Sequence, residues 1–154
     1  MRTIKFRGKS TDSYGNGINK YDWIIGNLLI EEHHETTHNS NHYIMHYNKH
    51  YKDNKTKMTS PVFPNTIGQS LERDDRQGAP IYEGDIRKIT LRGGGWWGAV
   101  DVDKIGVVEW NDDTSMFVIR WGYSKNQHHC DDSEDIFYTS VLLGNIHDNP
   151  ELIK

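Results

Sequence analysis

Histidine is the residue this sequence offers most freely for chemistry. Between Glu31 and Lys57 stand His33, His34, His38, His42, His46 and His50, interleaved with Tyr43, Tyr47 and Tyr51. On a helix, His38, His42, His46 and His50 would line one face at a spacing that can seat a metal ion. On a hairpin, Trp23–Ile30 pairs with His42–Asn48 across a polar turn at Thr36–Asn41. That arrangement puts His42, Ile44 and His46 on one face and Tyr43, Met45 and Tyr47 on the other. The hairpin is favoured, because the segment is rich in Asn and Thr, which are poor helix formers. Histidines four apart on a strand share a face but stand too far apart to chelate one ion. No metal and no cofactor is expected here.

Three smaller groupings compete for a functional role. Glu83 and Asp85, two apart, would share a strand face and could hold a proton or a cation. The plainer reading is that Asp85, just after Gly84, caps a bend by accepting backbone N–H groups. His128, His129, Cys130 and Asp131, with His147, could be drawn as a metal set or a Cys/His nucleophile. Cys130 lies in an acidic stretch, however, without the positive surroundings that lower a thiol pKa. Arg87, Lys88, Arg92 and Lys104 lie near Trp96 and Trp97, a basic and aromatic grouping able to stack single-stranded bases. Its plainer reading is that the tryptophans fill a core or an interface. No phosphate-binding Gly-Lys-Ser/Thr loop occurs, and no catalytic residue is assigned.

The elements that must position these residues read as short strands. Thr3–Arg7 alternates, with Ile4 and Phe6 on one face. Tyr21–Ile30 is an aromatic and β-branched run, with Gly26 marking a bulge or a close approach. Pro61–Pro64 is extended, Asn65–Gln69 a short strand, and Leu71–Gly78 a charged turn. Ile81–Ile89 enters as a strand that bends at Gly84-Asp85. Ile105–Trp110 and Ser115–Trp121 form an antiparallel pair about Asn111-Asp112-Asp113, with Val107, Trp110, Phe117, Ile119 and Trp121 as inward candidates. Ser124–Glu134 reads as a polar acidic loop and Ile136–Ile146 as a last apolar run. Asn149 and Pro150 then cap a short helical turn. This succession favours a mainly β chain of one domain over 1–154. Residues 1–60 would hold the first strands and the His-rich hairpin, and 61–154 the remainder.

Composition narrows the function further. The apolar fraction of 34% is modest, so five Trp, eight Tyr and four Phe must supply much of the core. The formal net charge is −4, from 18 basic and 22 acidic side chains. Nucleic-acid binding through an overall field is thereby disfavoured, though a local patch would suffice. Cys130 is the single cysteine, no window approaches 18 apolar residues, and Met1–Arg7 is charged. A soluble cytoplasmic protein, away from membranes, is expected.

Four stretches carry a family resemblance: Ile4–Arg7, Thr66–Gln69, Gly78–Ile86 (Gly-Ala-Pro-Ile-Tyr-Glu-Gly-Asp-Ile) and Leu143–Leu152 (Leu-Gly-Asn-Ile-His-Asp-Asn-Pro-Glu-Leu). Their order and spacing resemble the YopX family of phage and prophage proteins. The resemblance implies a mostly β fold with a small SH3-like barrel inside a more irregular frame, and homo-oligomers. It brings no catalytic residues. Leu71–Gly78 departs from the family's usual basic, glycine-containing turn, and the resemblance implies no role for the His-rich insert at Glu31–Lys57. The expectation is a non-enzymatic, oligomeric binding or interaction module of the bacterial host cytoplasm, with a host or phage protein as partner. Two alternatives stand beside it. One is a weak nucleic-acid binder using Arg87, Lys88, Arg92, Trp96 and Trp97; the other is a metal protein or hydrolase using the histidines.

Overall fold

Short alternating runs and frequent turn residues give this chain antiparallel strands almost throughout. The computed structural model describes residues 4–13, 18–32, 40–47, 57–91, 101–124, 127–131 and 134–153. The chain is mainly β, in antiparallel ladders, with one short α-helix among the described residues. It divides into two compact units, Met1–Ser70 and Leu71–Lys154. Ser60 and Pro61 pair with the hairpin, and Val62 enters the first unit's core.

In the first unit the strands are β1 (Phe6–Lys9), β2 (Trp23–Glu32), β3 (Ser40–Tyr47), β4 (Lys57–Pro61) and the start of β5 (Gly68–Asp74). They lie in the order β4-β3-β2-β1-β5. The His-rich segment is a hairpin, with Leu28 opposite Ile44 and Ile30 opposite His42. The expected turn at Thr36–Asn41 lies largely outside the described residues, as do His33, His34, His38, His50 and Tyr51. Ile44 shares its face with His42 and His46 and is buried against Ile24 and Val62. Phe6, Ile18 and Ile67 close this small core. Gly26 marks the anticipated close approach, since a Cβ there would sit 2.0 Å from the Met45 carbonyl oxygen.

Two expectations shift. The first strand starts at Phe6 and runs through Gly8, which lets Val62 and Ile44 pack against its backbone, while Ile4 is largely exposed. Asn65 and Thr66 are not strand. Pro64–Thr66 is a 3-10 turn, begun by the fixed φ of Pro64 and locked by the Thr66 hydroxyl, which donates to the Phe63 carbonyl at 2.7 Å. The same hydroxyl oxygen accepts the Lys9 N–H at 2.9 Å.

The second unit holds the rest of β5, with β6 (Pro80–Tyr82) beside it. A five-stranded sheet follows: β7 (Asp85–Leu91), β8 (Val102–Asn111), β9 (Met116–Ser124), β10 (Gln127–Asp131) and β11 (Val141–Asn145). Its order is β10-β9-β8-β7-β11, and neither sheet closes among its described strands. Helix α1 (Glu134–Thr139) precedes β11, and Pro150–Ile153 forms a 3-10 turn. The core gathers Leu71, Ile81, Ile89, Val108, Ile119, Trp121, Ile136 and Phe137.

Several assignments change in this unit. Leu71–Asp74 continues β5 instead of turning, because Leu71 is a core residue; the turn is confined to 75–78. Residues 127–131, expected as loop, extend the sheet beside β9, with His129 opposite Trp121 and Cys130 opposite Arg120. Trp110 occupies the inward face opposite Phe117 but lies beyond the end of the core. It is 45% exposed and packs edge-on to Phe117 at 5.1 Å. Val107 and Val108 are both buried at the centre of β8.

Candidate functional site

A buried charged cluster in the second unit is built from residues that local turn chemistry fixes first. Asp75 opens the turn after β5, and its Oδ1 accepts the N–H groups of Gln77 and Ala79, each at 2.9 Å. Gly84, at φ +81°, turns the chain from β6 into β7, a conformation glycine adopts without strain. Asp85 then accepts the Tyr82 N–H at 3.0 Å, the bend-capping role expected of it. Two residues on, Arg87 points into the core and is fully buried.

The guanidinium of Arg87 ties the unit together. Its Nη2 donates to Asp75 Oδ2, Nη1 to Asp85 Oδ2 at 3.4 Å, and Nε to the Ser140 hydroxyl at 2.6 Å. The Ser140 hydroxyl in turn donates to the Phe137 carbonyl at 2.7 Å. Strand, turn and helix end thus converge on one cation. Water is excluded, since the Arg87 and Asp75 side chains are 0% and 1% exposed. A cation so enclosed positions structure and cannot meet a phosphate.

Burial alone would raise the Asp75 pKa. The backbone N–H of Ala79, the Arg87 guanidinium and the N–H of Gln77 outweigh that and hold the carboxyl below its ordinary range. A carboxyl depressed in the folded state stabilises fully above its unfolded value near pH 4 and loses that contribution as pH falls through the folded value. Acid unfolding followed by circular dichroism is therefore expected to steepen below about pH 4. Asp75→Asn, less stable at neutral pH, should show a flatter acid limb than the wild type.

The carboxy-terminal motif is also structural. The side-chain carbonyl oxygen of Asn145, Oδ1, accepts the N–H groups of His147 at 2.9 Å and Asp148 at 3.0 Å. Its amide donates to Asp148 Oδ2 at 2.7 Å. A Cβ on Gly144 would lie 2.2 Å from Asn149 Oδ1. The Ile146 N–H donates to the Gly84 carbonyl at 3.0 Å, and Asn145 pairs with Asp85, so the two most distinctive stretches of the sequence touch.

The residues singled out from sequence are thus separated. Arg87 is sealed inside. Lys88 faces the other way, 44% exposed, and its ammonium meets Asp103 at 3.2 Å. Asp103 also accepts the Thr90 hydroxyl at 2.7 Å, and these hydrogen bonds lower its pKa, that of Thr90 first. Arg92, Trp96 and Trp97 lie outside the described residues. Of the histidines, the His46 ring stands 2.9 Å from the Ser60 hydroxyl. Among the described residues no three His, Cys, Asp or Glu groups are placed to hold a metal ion.

A second cluster, on the first unit, was not read from sequence because its members are scattered. Lys9 on β1 pairs directly with Trp23 on β2, and its ammonium lies 5.4 Å from the ring. The Arg7 guanidinium covers the same ring at 4.8 Å. At this end of the β1–β2 pair, Tyr21 stacks on Phe63 with centroids 5.5 Å apart and planes 11° from parallel. Lys20 approaches both rings, at 5.2 and 6.0 Å. The Phe63 N–H donates to the Lys9 carbonyl and the Tyr21 N–H to the Ser10 carbonyl, which joins the two halves. The legible signal was Lys20-Tyr21-Asp22-Trp23, a basic and aromatic turn.

Two antiparallel sheets, a charge cluster fixed at a Glu-Gly-Asp bend and an Asn-centred closing turn define a mainly β protein whose distinctive stretches build the fold. The YopX protein family matches residues 5–154, and the chain belongs to that family. No curated protein matches it. Among solved structures it is similar to protein EF1440 from Enterococcus faecalis, at 16% identity over the whole of both chains and a TM-score of 0.38. No helix among the described residues is long and apolar enough to cross a membrane.

Proposed function

We propose that this chain is a phage- or prophage-derived interaction module that works by binding, as an oligomer, in the cytoplasm of the bacterial host. The observation that carries the reading is how the second unit distributes its groups. Its Asp75, Asp85 and Arg87 cluster is enclosed and consumed by the fold, while apolar side chains stand outside on a sheet edge. Leu142 and Leu143 are 41% and 40% exposed on β11, the terminal strand of its sheet. An edge strand that carries no charge and no proline is a ready template for another chain. Partner proteins of the host or phage fit the same description. The five strands β10-β9-β8-β7-β11 are read as an opened SH3-like arrangement, supported by their antiparallel succession and the return of β11 beside β7.

Light scattering at micromolar concentration tests the oligomer. The wild type should give a multiple of the 17.9 kDa chain mass, and Leu142→Glu/Leu143→Glu should move it to that mass. A wild-type monomer would end the oligomeric reading.

A further inference from the structure

We infer that the Arg7, Lys9, Lys20, Tyr21, Trp23 and Phe63 cluster of the first unit is a binding site for single-stranded nucleic acid. The inference deepens the reading of the chain as a binding module, on which it rests, by naming the class of partner. It also moves the nucleic-acid site away from the second unit, where Arg87 is enclosed.

Charge is the first support. The whole chain is acidic, but its charge is unevenly divided. Residues 1–70 carry nine Lys and Arg against six Asp and Glu, a formal +3; residues 71–154 carry nine against sixteen, a formal −7. An anionic partner is therefore drawn to the first unit and repelled by the second. The net charge that argued against nucleic acid is a property of the wrong half.

Geometry is the second. Lys5, Arg7 and Lys9 occupy alternate positions along the start of the chain, and across β1 Arg7 lies opposite Ile25 and Lys9 opposite Trp23. This is the face turned away from Ile24 and Ile44, and Ile25 is 48% exposed on it. Successive side chains on one face are about 7 Å apart, close to the step between phosphates of an extended strand. Beside these cations stand the Trp23 ring, already covered by Arg7 and Lys9, and the Tyr21–Phe63 stack, to which an unpaired base would add at the exposed Tyr21. Tyr21 is 57% exposed and is held at φ +72°, a left-handed conformation that bulky residues rarely adopt. The fold thus keeps a large ring at the surface on a disfavoured backbone. Asp22, the acidic residue between Tyr21 and Trp23, is turned aside to accept the Asn19 N–H at 2.8 Å.

An unpaired strand suits this surface better than a duplex, whose bases present no open face to a stacked tyrosine. An acidic protein surface would use the lysines but would have no need of the rings.

Fluorescence anisotropy of a labelled oligothymidylate with the full chain at low salt tests the site, with circular dichroism confirming each variant's fold. Wild type should bind, with affinity falling as salt rises. Lys9→Glu/Lys20→Glu should weaken binding at least tenfold and flatten the salt slope by about 0.7 for each phosphate left without its cation. Tyr21→Ala should weaken it at least about fivefold with the slope kept, and Tyr21→Phe should restore it. Leu142→Glu/Leu143→Glu should bind per chain as the wild type does, so failure of the oligomer and failure of this site are separately visible. Three outcomes would overturn the proposal: no salt-dependent binding by the wild type, binding indifferent to both sets of substitutions, or equal binding of duplex or polyglutamate unaffected by Tyr21→Ala.

Discussion

Arg87→Ala should cost about 3–5 kcal/mol of stability, because it leaves Asp75 and Asp85 facing one another in the core without their cation. Urea unfolding followed by tryptophan fluorescence would read this as a lowered midpoint at unchanged m-value. Arg87→Lys should recover little. A single ammonium lacks the planar fork by which the guanidinium reaches Asp75, Asp85 and Ser140 together. Replacing the cluster as a unit, with Asp75→Asn, Asp85→Asn and Arg87→Met, should be far milder than Arg87→Ala alone. Buried ion pairs return little net stability over apolar packing, whereas broken ones are expensive. A loss under about 1 kcal/mol in Arg87→Ala would show that water reaches the carboxylates and that the cluster is not sealed.

How much of this was legible in sequence follows from the range of the interactions involved. The hairpin from Trp23 to Tyr47 was readable, because period-two alternation reports directly which residues share a face, and Ile44 lies on the side assigned to it. The bend at Gly84-Asp85 was readable because glycine and aspartate have local turn chemistry. The destination of Arg87 was not. It was grouped with Lys88 in one basic patch, but its partners come from residues 12 and 53 positions away, and a charged side chain is ordinarily assigned to solvent. The same limit hid the strand at 127–131, whose polar composition gives no apolar period and whose pairing is supplied by β9. It also hid the Lys9, Trp23 and Phe63 grouping, in which each residue lies on a different element. Trp110 shows the converse. Its face was assigned correctly, but where a core ends along a strand is a tertiary fact, and the ring emerges beyond it.

Phe137→Ala should be the other large loss, about 3–5 kcal/mol, and its effect should spread beyond the cavity it opens. Phe137 is 2% exposed and packs in the core with Ile81, Ile119 and Trp121. It sits in α1, a helix of six residues, far too short to persist on its own in water. The helix is therefore held by what Phe137 and Ile136 bury. At its end, the Ser140 N–H donates to the Ile136 carbonyl at 3.0 Å, and the Ser140 hydroxyl bridges the Phe137 carbonyl and Arg87. Loosening α1 should thus withdraw Ser140 from the guanidinium as well. Ser140→Ala alone should be costly, because a buried donor is left without its acceptor; on the Phe137→Ala background it should cost less, since that hydrogen bond is already broken. A double-mutant cycle should show a coupling of about 1 kcal/mol or more, against near-additivity for Tyr138→Ala, whose side chain is 53% exposed on the same helix. If Phe137 and Ser140 prove additive, α1 holds its place without the aromatic anchor, and the charge cluster rather than the core fixes the helix.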